Sequence, residues 1–102
     1  MIEVLYFDGC PNHEGLEEHL RSLLAVAGFD TPITSRRIDS DEQAQREHFV
    51  GSPTIRINGV DVDPTLSGRE DYGLMCRVYQ TEHGLRGTPP DAWILDALRH
   101  HE

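Results

Sequence analysis

The chain has 102 residues, 37% of them hydrophobic, enough for a single domain with one modest core. Eighteen acidic residues face nine arginines and no lysine, a formal charge of −9 that argues against nucleic acid or an anionic membrane as partner. The missing lysine also excludes Schiff-base chemistry and the lysine of a phosphate loop.

No run approaches the roughly 18 apolar residues of a membrane span. The start, Met1-Ile2-Glu3-Val4, lacks the basic, apolar and small-residue pattern of a secretory leader. Two cysteines are few for a secreted, disulfide-stapled domain of this size. These features predict a cytoplasmic protein whose cysteines are free thiols or a transient redox couple.

In chain order, residues 2–7 (IEVLYF) are a short apolar run closed by Asp8-Gly9, the pattern of a buried strand. Pro11 suits a first helical position, where its missing N–H costs nothing. Leu16, Leu20, Leu23, Leu24 and Ala27 then form the apolar stripe of an amphipathic helix that stops at Gly28. Residues 31–38 (TPITSRRI) read as a weaker strand. Ser40-Asp41-Glu42-Gln43 has the spacing of a capping box and opens a short polar helix through His48.

Residues 53–57 and 60–62 are β-rich runs joined by Asn58-Gly59, a pair that tolerates positive φ at both positions and signals a hairpin. Residues 63–88 are irregular, with residues 75–80 (MCRVYQ) as a candidate strand. Thr88-Pro89-Pro90-Asp91 starts a last helix with apolar positions Trp93, Ile94, Ala97 and Leu98. The expected order is β-α-β-α-β-β-α with an insertion before the last helix. An α/β fold with a mixed four-stranded sheet flanked by helices follows.

The strand IEVLYF, then Asp8-Gly9-Cys10-Pro11-Asn12-His13 opening a helix, then Gly51-Ser52-Pro53-Thr54 ahead of a hairpin, resembles the thioredoxin superfamily. The likeness covers the first 62 residues and, more loosely, the final helix, and implies a single thioredoxin-like domain over 1–102. It implies that Cys10 is the nucleophile, that Pro53 is the cis proline facing it, and that Ser52 presents its backbone to a bound thiol or peptide. The chain departs from the family's dithiol motif by having His13 where the second cysteine would stand. Short chains of this appearance also resemble thioredoxin-like proteins grouped with organomercurial lyases, which use two cysteines and a carboxylate to protonate a carbon–mercury bond.

Independently of the family, a cysteine at a helix start has a favoured thiolate, because unpaired N–H groups and the dipole attract negative charge. The alternative for Cys10 is a buried, inert strand-end cysteine. His13, three residues on, shares its face and either stabilises the thiolate as imidazolium, shuttles its proton, joins it on a metal, or is an exposed helix-start histidine. Cys76, inside the insertion, is either a distant resolving thiol or a small hydrophobe on a strand. A bridge would require its Cα within about 7 Å of that of Cys10.

Other polar residues carry less. Asp8 fits a turn cap better than a proton carrier. Arg77 beside Cys76 is expected to be exposed and without effect on it. Asp61 and Asp63 are too few for a calcium loop, Trp93 suits the core, and His100-His101 suit a frayed tail.

Three functions remain open on these residues. The first is thiol–disulfide chemistry at Cys10, with Cys76 resolving and a protein or small-molecule thiol or disulfide as partner. The second is a soft-metal module in which Cys10 and Cys76, with His13, hold mercury, copper or zinc. The third is a redox-inactive docking domain. No cofactor is called for.

Overall fold

The computed structural model describes residues 1–66 and 68–101, without the side chain of His101, and its last helix runs through His100 and His101 in place of the expected frayed tail. The elements follow the expected order. They are β1 (Ile2–Tyr6), α1 (Leu16–Ala27), β2 (Ile33–Arg37), α2 (Asp41–Glu47), β3 (Thr54–Ile57), β4 (Val60–Asp61), β5 (Tyr79–Thr81), β6 (Gly84–Arg86) and α3 (Asp91–His101). A mixed four-stranded sheet has the order β2-β1-β3-β4, and β5-β6 form a small hairpin of their own. β1 runs parallel to β2 and antiparallel to β3.

Period-two alternation in the two central strands divides the core into two layers. Ile2, Val4, Ile55 and Ile57 face Leu16, Leu20 and Leu24 of α1 and Ile94, Ala97 and Leu98 of α3. On the opposite face Leu5 packs with Ile38, Ala44 and Phe49, which brings α2 onto that side. No helix among the described residues is long and apolar enough to cross a membrane.

The local signals act where they stand in the sequence. Ser40 Oγ accepts from the Gln43 amide at 3.1 Å, capping α2. Asn58 and Gly59 take φ of 49° and 85°, so Ile57 pairs with Val60 across a two-residue turn. The first helix departs from expectation. Pro11–His13 form only a 3-10 turn, and Gly15 at φ 75° interrupts the chain before α1 begins at Leu16. Pro11 and the leucine stripe therefore belong to two separate elements, and Ala27 is exposed at the helix end.

On the α2 face, Arg36 donates to both oxygens of Glu47, at 3.2 and 2.8 Å, and its Nε lies 3.2 Å from Glu3. The Arg36 hydrogen bonds are the main reason the Glu47 carboxyl is held below its ordinary range. A carboxyl lowered in the fold contributes stability above its unfolded pKa and loses it as pH falls through the folded value. Urea unfolding of wild type and Glu47→Gln is expected to differ at neutral pH and to converge as the pH drops below about 4, the ordinary glutamate value. Leu20→Ala should cost about 3 kcal/mol in the same assay, because Leu20 is fully buried. Val26→Ala, at an 89% exposed position on the same helix, should change stability by less than about 0.5 kcal/mol.

Candidate functional site

The site forms where the end of β1 meets the start of β3. After β1 the chain turns at Asp8-Gly9, and the Cys10 amide donates to the Phe7 carbonyl at 3.4 Å. Cys10 is fully buried. It precedes only the three-residue 3-10 turn, and α1 starts six residues later, so Cys10 does not stand in the first turn of the amphipathic helix. The expectation of a helix-start thiolate is thereby corrected: Glu14 is extended and Gly15 left-handed, and they separate Cys10 from the helix proper.

The insertion crosses this turn. The Ser52 amide donates to the Met75 carbonyl at 2.8 Å, and the Arg77 amide donates to the Ser52 carbonyl at 2.9 Å, forming a parallel bridge between Ser52 and Cys76. That bridge sets the Cα atoms of Cys10 and Cys76 5.5 Å apart, and their sulfurs form a disulfide spanning 66 positions of sequence. Cys10 Sγ also lies 3.7 Å from the Ser52 carbonyl oxygen. The Ser52–Pro53 peptide is cis. Gly51, at φ 123°, allows the close approach: a Cβ there would come within about 3 Å of the backbone and Cβ of Arg77.

What fastens the crossing strap is Arg77, which is buried rather than exposed. Its guanidinium donates to both oxygens of Asp61, at 2.7 and 3.0 Å, to Asp63 at 3.4 Å and to Thr54 Oγ1 at 3.2 Å. It also lies over the Tyr79 ring, 4.3 Å from the centroid, and the Tyr79 hydroxyl donates to the Pro53 carbonyl at 2.5 Å. Burial, the largest influence, works to lower the Arg77 pKa, but hydrogen bonding to Asp61 and the surrounding negative charge raise it overall. Burial likewise pushes the Tyr79 phenol up, so it stays a neutral donor. Asp61 and Asp63, set aside in the sequence as too few for a calcium loop, are the counter-ions of this cluster. Arg77 has its charge engaged by two carboxylates, which leaves it little to offer Cys76.

His13 is placed differently from the sulfurs. Its Nδ1 donates to the Cys10 carbonyl at 2.6 Å, and its ring stacks on Tyr6 with centroids 4.4 Å apart. A carbonyl only accepts, so the proton is on Nδ1. The imidazole thus braces the backbone of the cysteine turn. No group of three or more His, Cys, Asp or Glu side chains among the described residues is arranged to hold a metal ion. Asp8 lies 3.5 Å from Arg37 at the surface, and His100 Nδ1 donates to the Asp96 carbonyl of its own helix. Trp93 is half-buried and meets Tyr79 edge-on.

The sequence named Cys10, Ser52, Pro53 and Cys76, and these stand together at one bridge. The Ser52 backbone, expected to meet a bound thiol or peptide, is instead buried and engaged by Met75 and Arg77 of the strap. Sequence reasoning missed Gly51 and the Arg77–Asp61–Asp63 cluster. Burial alternates along the strap, with Arg77 and Tyr79 inward and Cys76, Val78 and Gln80 outward. That is the reverse of what the hydropathy of Cys76, Arg77 and Val78 suggests, so the sequence held no signal for the cluster.

No protein-family model matches the chain, and no curated protein or solved structure matches it either. Arg77→Met is expected to destabilise the protein by about 3–5 kcal/mol in urea unfolding, because it leaves two buried carboxylates without a cation. Adding Asp61→Asn and Asp63→Asn should recover part of that loss.

Proposed function

We propose that the protein is a thioredoxin-like thiol–disulfide oxidoreductase in which Cys10 and Cys76 cycle between disulfide and dithiol. The observation that carries this reading is the disulfide between two cysteines 66 positions apart, on a strap that is also fastened by non-covalent contacts. A bridge needed only to hold the strap in place would duplicate the Arg77 cluster. A bridge that opens and closes needs such a cluster to keep its sulfurs aligned. The sheet order β2-β1-β3-β4, with β3 and β4 antiparallel to their neighbours, agrees with the family resemblance of the Cys10 and Ser52-Pro53 motifs. Cys76 then supplies the second thiol of the pair, in place of the one that His13 replaces at its usual position.

The chemistry is two thiol–disulfide exchanges. A thiolate of the reduced protein attacks one sulfur of a partner disulfide, and a mixed disulfide forms as the partner's other sulfur leaves as thiolate. The second protein thiolate attacks the mixed disulfide, closing Cys10–Cys76 and releasing the partner as dithiol. Two electrons pass to the partner, and both protons are exchanged with solvent.

The same pair of sulfurs favours a second use, capture of a soft ion such as Hg(II) or Cu(I) by the reduced dithiol. The arrangement supports a two-sulfur site rather than a Cys-Cys-His one, because His13 is bonded to a carbonyl.

Turnover of glutathione disulfide by the reduced protein, coupled to a thiol regenerant, separates these uses. Cys10→Ser and Cys76→Ser are each expected to abolish catalytic turnover. Turnover that survives in either variant would overturn the two-cysteine mechanism. Stoichiometric Hg(II) binding in a protein with no turnover would favour the metal reading.

A further inference from the structure

Resting on the oxidoreductase reading, we infer that Cys76 is the sulfur that exchanges with the outside partner and that Cys10 is the resolving sulfur. This reverses the roles that the motif around Cys10 implies.

Thiol–disulfide exchange requires an incoming sulfur to reach one sulfur of the bridge, and rates depend on which one it can reach. Cys10 has no exposed surface. Its sulfur lies against the Ser52 carbonyl beneath the strap, and its turn is flanked by the segment after β6, where Gly87 sits against the Asn12 side chain. Cys76 is exposed, and so is Val78 two residues on, on the same side of the strap. An attacking thiolate therefore meets Cys76 first, with an apolar neighbour available to contact the partner.

Strap anchoring keeps the roles fixed after the bridge opens. The Arg77 cluster, the two Ser52 hydrogen bonds, the Gly73 amide on the Phe49 carbonyl and Tyr79 on Pro53 do not depend on the disulfide. Opening the bridge leaves Cys76 beside Cys10, which stays covered. Cys10 also lacks the position that would favour it as entry nucleophile, since only a 3-10 turn follows it directly.

In the reducing direction, the Cys76 thiolate attacks a partner disulfide, a Cys76–partner bond forms, and the partner's other sulfur leaves with the electron pair. Cys10 gives its proton to solvent, attacks the Cys76 sulfur, closes the bridge and expels the partner's remaining thiolate. A low-molecular-weight thiol such as glutathione regenerates the dithiol in two attacks. The first, on Cys76, expels Cys10. The second, on the glutathione sulfur of the mixed disulfide, releases glutathione disulfide and the Cys76 thiolate.

The test uses glutathione disulfide on the reduced single-cysteine variants, read by intact mass with peptide mapping. Cys10→Ser should take up one glutathione at Cys76 about ten-fold or more faster than Cys76→Ser takes it up at Cys10, as expected when only one of two thiols is accessible. Acid-quenched wild type should carry its transient glutathione on Cys76. Equal rates, faster uptake at Cys10, or a wild-type adduct mapped to Cys10 would overturn the assignment. Those adducts are stoichiometric, so they decide the entry sulfur even if the wild type fails to turn over. Failed turnover alone counts against the oxidoreductase reading.

Discussion

The arrangement around the cysteines depends on one buried cation. Arg77 is enclosed by Asp61, Asp63, Thr54 and the face of Tyr79, and these residues come from β3, from β4 and the turn after it, and from the strap and β5. Burying a guanidinium costs several kcal/mol that its partners must offset, and replacing such a cluster by apolar groups is often neutral or stabilising. Its value to this protein therefore lies in placement. A bidentate pair fixes direction as well as distance, and the direction of Arg77 sets the register in which Ser52 meets Cys76. A slip of one residue along the strap would send Arg77 to solvent and Cys76 or Val78 inward, against two carboxylates. Hydrophobic contacts alone would not penalise that slip as strongly.

The same placement explains which parts of the molecule could be read in the sequence. Local signals were sufficient for the capped helix at Ser40, the Asn58-Gly59 hairpin and the leucine stripe of α1, because each depends on neighbours within a turn or two. The break at Gly15 was not legible. Pro11 and Leu16 each satisfied a helical rule, and nothing local shows that Gly15 prefers the left-handed region to helix. The strap was illegible for a different reason. The Ser52–Cys76 bridge joins two irregular segments through backbone groups, which carry no sequence signature, and Arg77 meets its counter-ions across 14 and 16 positions. An arginine between exposed residues reads as solvated unless its acidic partners are known. The spacing Asp61-x-Asp63 was visible, but its cation was not.

The placing of Cys10 ahead of a 3-10 turn, and not in the first turn of α1, changes the physical basis of reactivity at the site. A helix-start cysteine would be activated by its own surroundings, whatever stood opposite. Here the activating influence is proximity. His13 contributes indirectly, by holding the Cys10 carbonyl and stacking on Tyr6, so it fixes the turn that presents the sulfur. Gly51 contributes by having no Cβ, which lets the strap backbone approach the β3 entry closely enough for both Ser52 hydrogen bonds. Both residues shape distance rather than charge.

Proximity and stability are linked through one thermodynamic cycle. Closing a 66-residue loop in the unfolded chain is entropically unfavourable, by roughly 4 kcal/mol on a chain-entropy estimate. In the folded protein that cost has already been met by the contacts that seat the strap, so the two thiols face each other at high effective concentration. Every interaction that holds the strap in the reduced fold favours the bridge over two separated thiols. By the same cycle, the bridge favours the fold by an equal amount. The Arg77 cluster therefore acts on both equilibria at once: it keeps the reduced strap seated, and it biases the cysteine pair toward the disulfide. A partner that reduces this bridge works against the contacts of a buried ion cluster as well as against one sulfur–sulfur bond.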